Sequence, residues 1–265
     1  MSLLPPKETM PKARAAVVRA VALDDQRSEA HAALGEVSTW YDWDWTAADR
    51  EIQRALDLNP DSPDALRASE VFLTLIAGRF DEAARTSQRI INVDPLNPFS
   101  RVQPIWIAFF SRRHDESIRH AKALAEVWPG NPMSPFFLAS NYAVKRMAAE
   151  TRAECGTVMK ALADALVVQS IGMCAWAYAL VGETDQAWRL VQRLEHPPAH
   201  VWVDPPVVAQ AYAGLGDIDR AIEWCRKGLE ERSALMIYMK VSALWDPVRG
   251  DPRFQAMLQQ MNFPP

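Results

Sequence analysis

The residues best equipped for chemistry fall in a few short stretches. Trp40 and residues 41–45, Tyr-Asp-Trp-Asp-Trp, bring three tryptophans and two carboxylates into one turn. An exposed cluster of this kind, centred on Trp43 and Trp45, could cage a cation or stack on a sugar ring, because the face of an indole carries negative charge density. Its other reading is structural, as the apolar packing at the end of an array. His196 and His200 have a metal-like spacing, but Pro197 and Pro198 forbid the helix that would turn both rings to one side. No third ligand is near, so no metal is expected. His31, His114 and His120 fall on separate elements with no nucleophile in a recognisable setting, and interhelix hydrogen bonding is their default. Gly214 and Gly216 begin a dinucleotide-type glycine pattern, yet Asp219 stands where the third glycine is needed and no strand precedes it. No Walker loop or kinase signature occurs. The sequence therefore predicts no catalytic residue, no metal and no cofactor.

What must position these residues is a set of helices that recurs. Tight turns fall at Gly78, Arg112, Arg146, Gly182 and Gly216, in steps of 34, 34, 36 and 34 residues. Five residues after each turn stands a small one, Ala83, Ser117, Thr151, Ala187 or Ala221, which lets two helix backbones approach. Four before the last three turns stands Tyr142, Tyr178 or Tyr212, able to fill the space between neighbouring hairpins. Glycine suits a left-handed helix end; Arg112 and Arg146 must take that conformation at a cost or avoid it. Unit borders carry a capping residue followed by proline: Ser62-Pro63, Asn97-Pro98, Ser134-Pro135 and Asp204-Pro205. Proline fits the first helical position, where its missing N–H has no partner anyway. Nineteen prolines placed at such borders argue for many short helices.

The chain has 265 residues, 49% of them hydrophobic, and a formal charge of −4 with no dense run of Lys or Arg. That balance lacks the electrostatic footprint of a nucleic-acid binder. Cys155, Cys174 and Cys225 form no Cys-x-x-Cys pair and read as small buried hydrophobes, which fits a reducing cytoplasm. The N-terminus has no basic segment leading into an apolar core, and no apolar run approaches the ~20 residues of a membrane span. The expected layout is a disordered tail or vector remnant at 1–10, then one array over 11–265. Within it an orphan helix at 11–24 precedes five helix pairs at about 29–58, 63–93, 98–128, 133–164 and 168–195. A sixth follows at about 204–231, and a segment at 235–262 seals the end of the stack. The orphan helix reads as the second half of a unit whose first half is missing, as if the chain were cut from a longer protein.

A 34-residue helix–turn–helix period resembles the tetratricopeptide repeat (TPR) family. The resemblance covers the chain from Pro11 onward and implies an all-α, right-handed superhelical solenoid of antiparallel helix pairs. More narrowly, YDWDW at 41–45, GRFDEA at 78–83, GLGDIDRAIEW at 214–224 and DPVRGDPRFQAML at 246–258 look like the C-terminal repeat region of bacterial signalling proteins. There, similar arrays follow an adenylate cyclase, protein kinase or winged-helix domain. The resemblance further implies that the first helix of each pair lines a concave groove. Positions six, three and two before each turn give Phe72, Leu75 and Ile76, then Trp106, Phe109 and Phe110, then Ser140, Ala143 and Val144. Trp176, Ala179 and Leu180, then Gln210, Ala213 and Gly214, complete the set. None is Lys, Arg or Asn, so a clamp for a peptide carboxylate is disfavoured. Glu70, Thr74 and Pro104 stand on the opposite face where apolar residues are usual.

The expected function is a non-catalytic protein-interaction scaffold, the sensing or docking module of a larger cytoplasmic bacterial regulator. Phe72, Leu75, Ile76, Trp106, Phe109, Phe110, Trp176 and Leu180 would bind the partner. A partner's amphipathic helix, a second copy or the chain's own termini could cover them, unless they are ordinary core. No nucleic acid or membrane partner is expected. The alternative is a small-molecule-binding regulatory module of a signalling enzyme such as an adenylate cyclase.

Overall fold

The computed structural model describes residues 4–161, 167–199 and 201–264. Residues 1–3, part of the predicted tail, lie outside this set, as do 162–166, at the predicted end of the 133–164 pair, and His200 of the histidine pair.

Fourteen α-helices and no strand are found among the described residues. α1 (Pro6–Leu23) is followed by α2 (Ser28–Val37) with α3 (Trp45–Leu58), α4 (Pro63–Val71) with α5 (Phe80–Val93), and α6 (Gln103–Phe110) with α7 (His114–Val127). Then come α8 (Met133–Val144) with α9 (Ala148–Ala161), α10 (Val167–Leu180) with α11 (Thr184–Glu195), α12 (Pro205–Leu215) with α13 (Ile218–Glu230), and α14 (Pro252–Met261). The first helices of the pairs pack side by side, α2 on α4, α6 on α8, α8 on α10 and α10 on α12, forming one inner layer of a helical solenoid.

Each turn places a residue in the left-handed conformation, although the expected tight turn at Gly78 is a wider π turn. Trp43, Gly78, Arg112, Arg146, Gly182 and Gly216 all have positive φ, between 54° and 84°. Arg112 and Arg146 adopt the left-handed conformation and are held there by contacts of their side chains. The Arg112 guanidinium pairs with both oxygens of Asp246 at 2.6 and 2.8 Å, and Arg146 donates to the carbonyl of Leu180. The four later glycine or arginine turns close with the same bond, from the N–H after the turn to the carbonyl five residues back, as in Arg113 to Ala108 and Asp217 to Tyr212. The small residues after the turns, Ala83, Ser117, Thr151, Ala187 and Ala221, are all fully buried. Gly214 lies so close to α10 that a Cβ there would come within 2.8 Å of the Trp176 Cα.

Some boundaries differ from expectation. α1 begins at Pro6, inside the stretch assigned to a tail, because proline fits the first helical position. Asn97 caps a 3-10 turn, Pro98–Arg101, and α6 begins only at Gln103, with Pro104 in its first turn. Ser134 is not a cap: α8 starts at Met133, and the Asn131 side chain accepts from the Ser134 N–H. The segment after α13 packs against the last pair, where Arg253 meets Asp219 at 2.8 Å, yet it also runs back to the first pair. Two 3-10 turns, Ala234–Tyr238 and Ala243–Trp245, carry it across the inner layer to α14.

Candidate functional site

The first two inner helices end in wide π turns, Ser38–Asp42 and Phe72–Ala77. Their closing bonds span six residues instead of five, from Asp44 N–H to Ser38 O and from Arg79 N–H to Leu73 O. The carbonyls at a helix C-terminus carry partial negative charge. Here two cations from the C-terminal segment meet them. Arg232 donates to the carbonyls of Tyr41 at 2.8 Å and Asp42 at 3.3 Å, and Lys240 Nζ donates to Ile76 O at 3.1 Å. Burial lowers the Lys240 pKa.

Between these two anchors the segment lays an aromatic ring on the inner face. Tyr238 sits 5.5 Å from Phe110, 6.0 Å from Trp106 and 6.2 Å from Trp40, centroid to centroid. Trp106 in turn meets Phe110 and Phe137, and Phe109 meets Phe110 and Phe137, so α6, α8 and the segment share one aromatic cluster. Further along, Trp45 donates from Nε1 to Met261 O at 2.8 Å and stacks on Phe263 at 5.2 Å. The inner face thus already holds a polypeptide segment, and that segment belongs to the same chain.

The expected groove residues occupy the following places. Phe72, Leu75, Ile76, Phe109, Phe110 and Trp176 are buried, while Trp106 and Leu180 are half-buried. Trp106, Phe109 and Phe110 come together under Tyr238; Trp176 lies instead against the Gly214 backbone at the border of α10 and α12. The tryptophan turn is not an open cluster: Trp45 is buried and Trp40 and Trp43 half-buried. Its aromatic faces do hold a cation, the chain's own Arg232, whose guanidinium lies 5.0 Å from the Trp43 ring centre and 5.6 Å from that of Tyr41. Beside the tail a small recess remains between α6, α8 and α10, lined by Trp106, Met133, Phe136, Phe137 and Gln169. The Trp106 indole N–H and the Gln169 side-chain oxygen are buried there without partners.

Two buried carboxyls lie in this region. Glu70, fully buried on α4, accepts from Thr74 Oγ1 at 3.1 Å with one oxygen, and its other oxygen has no partner. Burial raises its pKa to about 8. Burial, then the nearby Glu70, pushes the Tyr238 hydroxyl up as well. Asp204, at the head of α12, accepts from Ser233 Oγ at 2.8 Å instead of capping the helix, and burial raises it to about 7.

Sequence reasoning missed Arg232, Tyr238, Lys240 and Asp246, which bind the segment to the inner face. The available signal was Leu235–Val241, an apolar stretch without helical period and longer than one end-seal requires. Two of the histidines take structural roles: His31 Nδ1 lies 2.7 Å from Glu51, and His114 Nδ1 lies 2.9 Å from Asn141. All three cysteines are buried and free, and among the described residues no three His, Cys, Asp or Glu side chains gather as a metal set. No described helix is long and apolar enough to cross a membrane.

No family model matches the chain, and no curated protein matches it. Solved structures match its fold. PilW, a widely conserved type IV pilus biogenesis factor, is 14% identical with a TM-score of 0.59 over 71% of this chain and 86% of its own. PilF of Pseudomonas aeruginosa is 16% identical with a TM-score of 0.54 over 71% of this chain and 84% of its own. Cut9 of the APC/C Cut9–Hcn1 hetero-tetramer is 11% identical with a TM-score of 0.58 over 95% of this chain and 52% of its own. These likenesses show the fold, a helical solenoid of TPR type.

Proposed function

We propose that this solenoid is a non-catalytic protein-interaction scaffold whose inner face takes up a polypeptide segment, as the docking module of a larger bacterial regulatory protein. The observation that carries the reading is the occupant already present. Residues 232–264 lie on Trp40, Ile76, Trp106, Phe110 and Arg112 through ring contacts, cations on helix-end carbonyls and one bidentate ion pair. None of these contacts needs a reactive group. Each is of the kind a partner strand can make: an aromatic side chain in the Trp106–Phe110 cluster flanked by basic residues on the π-turn carbonyls. A partner segment of that chemistry competes with residues 232–264 for the same face. Phe72 and Leu75 then act as buried support, not as first contacts.

The test is a labelled peptide of residues 232–264 titrated into the full chain and into its Tyr238→Ala/Lys240→Ala variant. A tethered segment faces its site at an effective concentration on the order of millimolar. The wild-type chain therefore resists the peptide, and the variant binds it at least tenfold more tightly, on the order of 1.4 kcal/mol. A variant with native helix content that ignores the peptide overturns the reading.

A further inference from the structure

A cleft of about 160 Å³ opens between α5, α6 and α7, at the border of the second and third pairs. Its residues are not those of the face covered by the C-terminal segment. The chain's own repetition explains its shape. Four residues before the turn at Gly216 stands Tyr212, and six after the turn at Gly182 stands Trp188; the two rings meet edge to face at 5.9 Å. At the equivalent positions about Arg112 and Gly78 stand Ala108 and Ala84, and both line the cleft. Pro104 occupies the place of Val208. One border is filled by an aromatic pair, and the other lacks both rings.

A charged pair lies at each border, though not at equivalent positions: Glu116 stands where Arg220 does, and Ile91 where Glu195 does. The Tyr212 hydroxyl donates to Glu195 at 2.7 Å and accepts from Arg220 at 2.6 Å, between the members of an ion pair 3.5 Å apart. Arg113 and Glu116 line the cleft and form an ion pair 3.6 Å apart. Ser87, which replaces the buried Val191 of the other border, lines the same space; it is 2% exposed and its hydroxyl has no partner. A buried hydroxyl left without a partner is costly, and a space near 150 Å³ is large enough to take a benzene-sized ring.

We propose that this cleft binds a single phenol ring, which takes the place of the missing tyrosine. The ring lies on Ala84, Pro104 and Ala108, and its hydroxyl is held by the Arg113–Glu116 pair or by Ser87. The site is separate from the inner face, so the scaffold reading stands or falls without it.

Thermal denaturation and saturation-transfer NMR of the full chain with p-cresol, with toluene and with N-acetyltyrosinamide test this directly. p-Cresol should raise the melting temperature and show ring saturation, and toluene should do so more weakly. A matching response to N-acetyltyrosinamide assigns the site to a tyrosine on a polypeptide; a response to p-cresol alone assigns it to a free phenol. Ala108→Tyr, which rebuilds the ring in place, should melt several degrees higher than wild type and lose the p-cresol response. Ala84→Trp fills the cleft from the exposed side and should lose it as well. No response to p-cresol, or a response undiminished in both variants, overturns the proposal, as does an Ala108→Tyr chain that melts lower.

Discussion

Glu70→Gln should change how stability depends on pH far more than it changes the fold. An ordinary glutamate ionises near 4.5, whereas burial holds Glu70 at about 8. In the unfolded chain the carboxyl releases its proton above pH 4.5; in the folded chain it keeps it. A raised folded value means that stability is fully present below 4.5 and falls as pH rises, until Glu70 itself ionises near 8. The separation corresponds to roughly 5 kcal/mol between the acid and alkaline limits, at about 1.4 kcal/mol per pH unit. Glutamine cannot ionise, keeps an oxygen for the Thr74 hydroxyl, and leaves one buried amide group where an unpartnered oxygen stood. Urea denaturation followed by tryptophan fluorescence at pH 5, 6.5 and 8 measures the effect. Asp204 contributes a slope of the same sign, complete by about pH 7, so the difference between wild type and variant isolates Glu70. The variant should be similar to or slightly less stable than wild type at pH 5 and about 3 kcal/mol more stable at pH 8. Parallel profiles would refute the reasoning, because they would mean that Glu70 reaches water or an undetected cation.

Other substitutions probe the packing and the tail. Gly172→Ala should destabilise by roughly 1–3 kcal/mol in thermal or urea unfolding, because a Cβ there would fall 2.2 Å from Val207 Cγ1 and 2.8 Å from the Val207 carbonyl oxygen, and backbone cannot move aside cheaply. Arg232→Ala should cost about 2 kcal/mol, from a charged hydrogen bond to two carbonyls and the cation–π contacts to Trp43 and Tyr41. Hydrogen exchange in that variant should rise in residues 40–45 and 234–245 together; a rise confined to one of them would count against their coupling.

Much of the fold is legible in the sequence because its determinants are local. A positive-φ turn every 34 to 36 residues, a small residue five later and proline at the borders each act within one hairpin. Even Arg112 and Arg146 could be placed at turns, although what stabilises them could not: their partners, Asp246 and the Leu180 carbonyl, lie 134 and 34 residues away. The inner-face residues were legible as an apolar stripe at helical spacing, but such a stripe looks the same whether water, a partner or the chain itself covers it. Tyr238 and Lys240 carry no period that points to α2, α4 and α6, since 3-10 turns across another layer obey neither helix nor strand spacing. The cleft at Ala108 was present in the sequence as a missing tyrosine, visible only when each turn is compared with the next. The π turns left no local signature, and their role emerges only from the cations that meet them.

The account rests on residues 232–264 lying across the inner face of their own chain. The most direct measurement replaces the bidentate ion pair between the third pair and the tail with cysteines, Arg112→Cys and Asp246→Cys, and treats the dilute protein with a short bismaleimide. Cys155, Cys174 and Cys225 are fully buried and do not compete for the reagent. The account predicts a rapid cross-link within one chain, after which the peptide of residues 232–264 no longer binds. Absence of the link, or links formed only between chains, would contradict it.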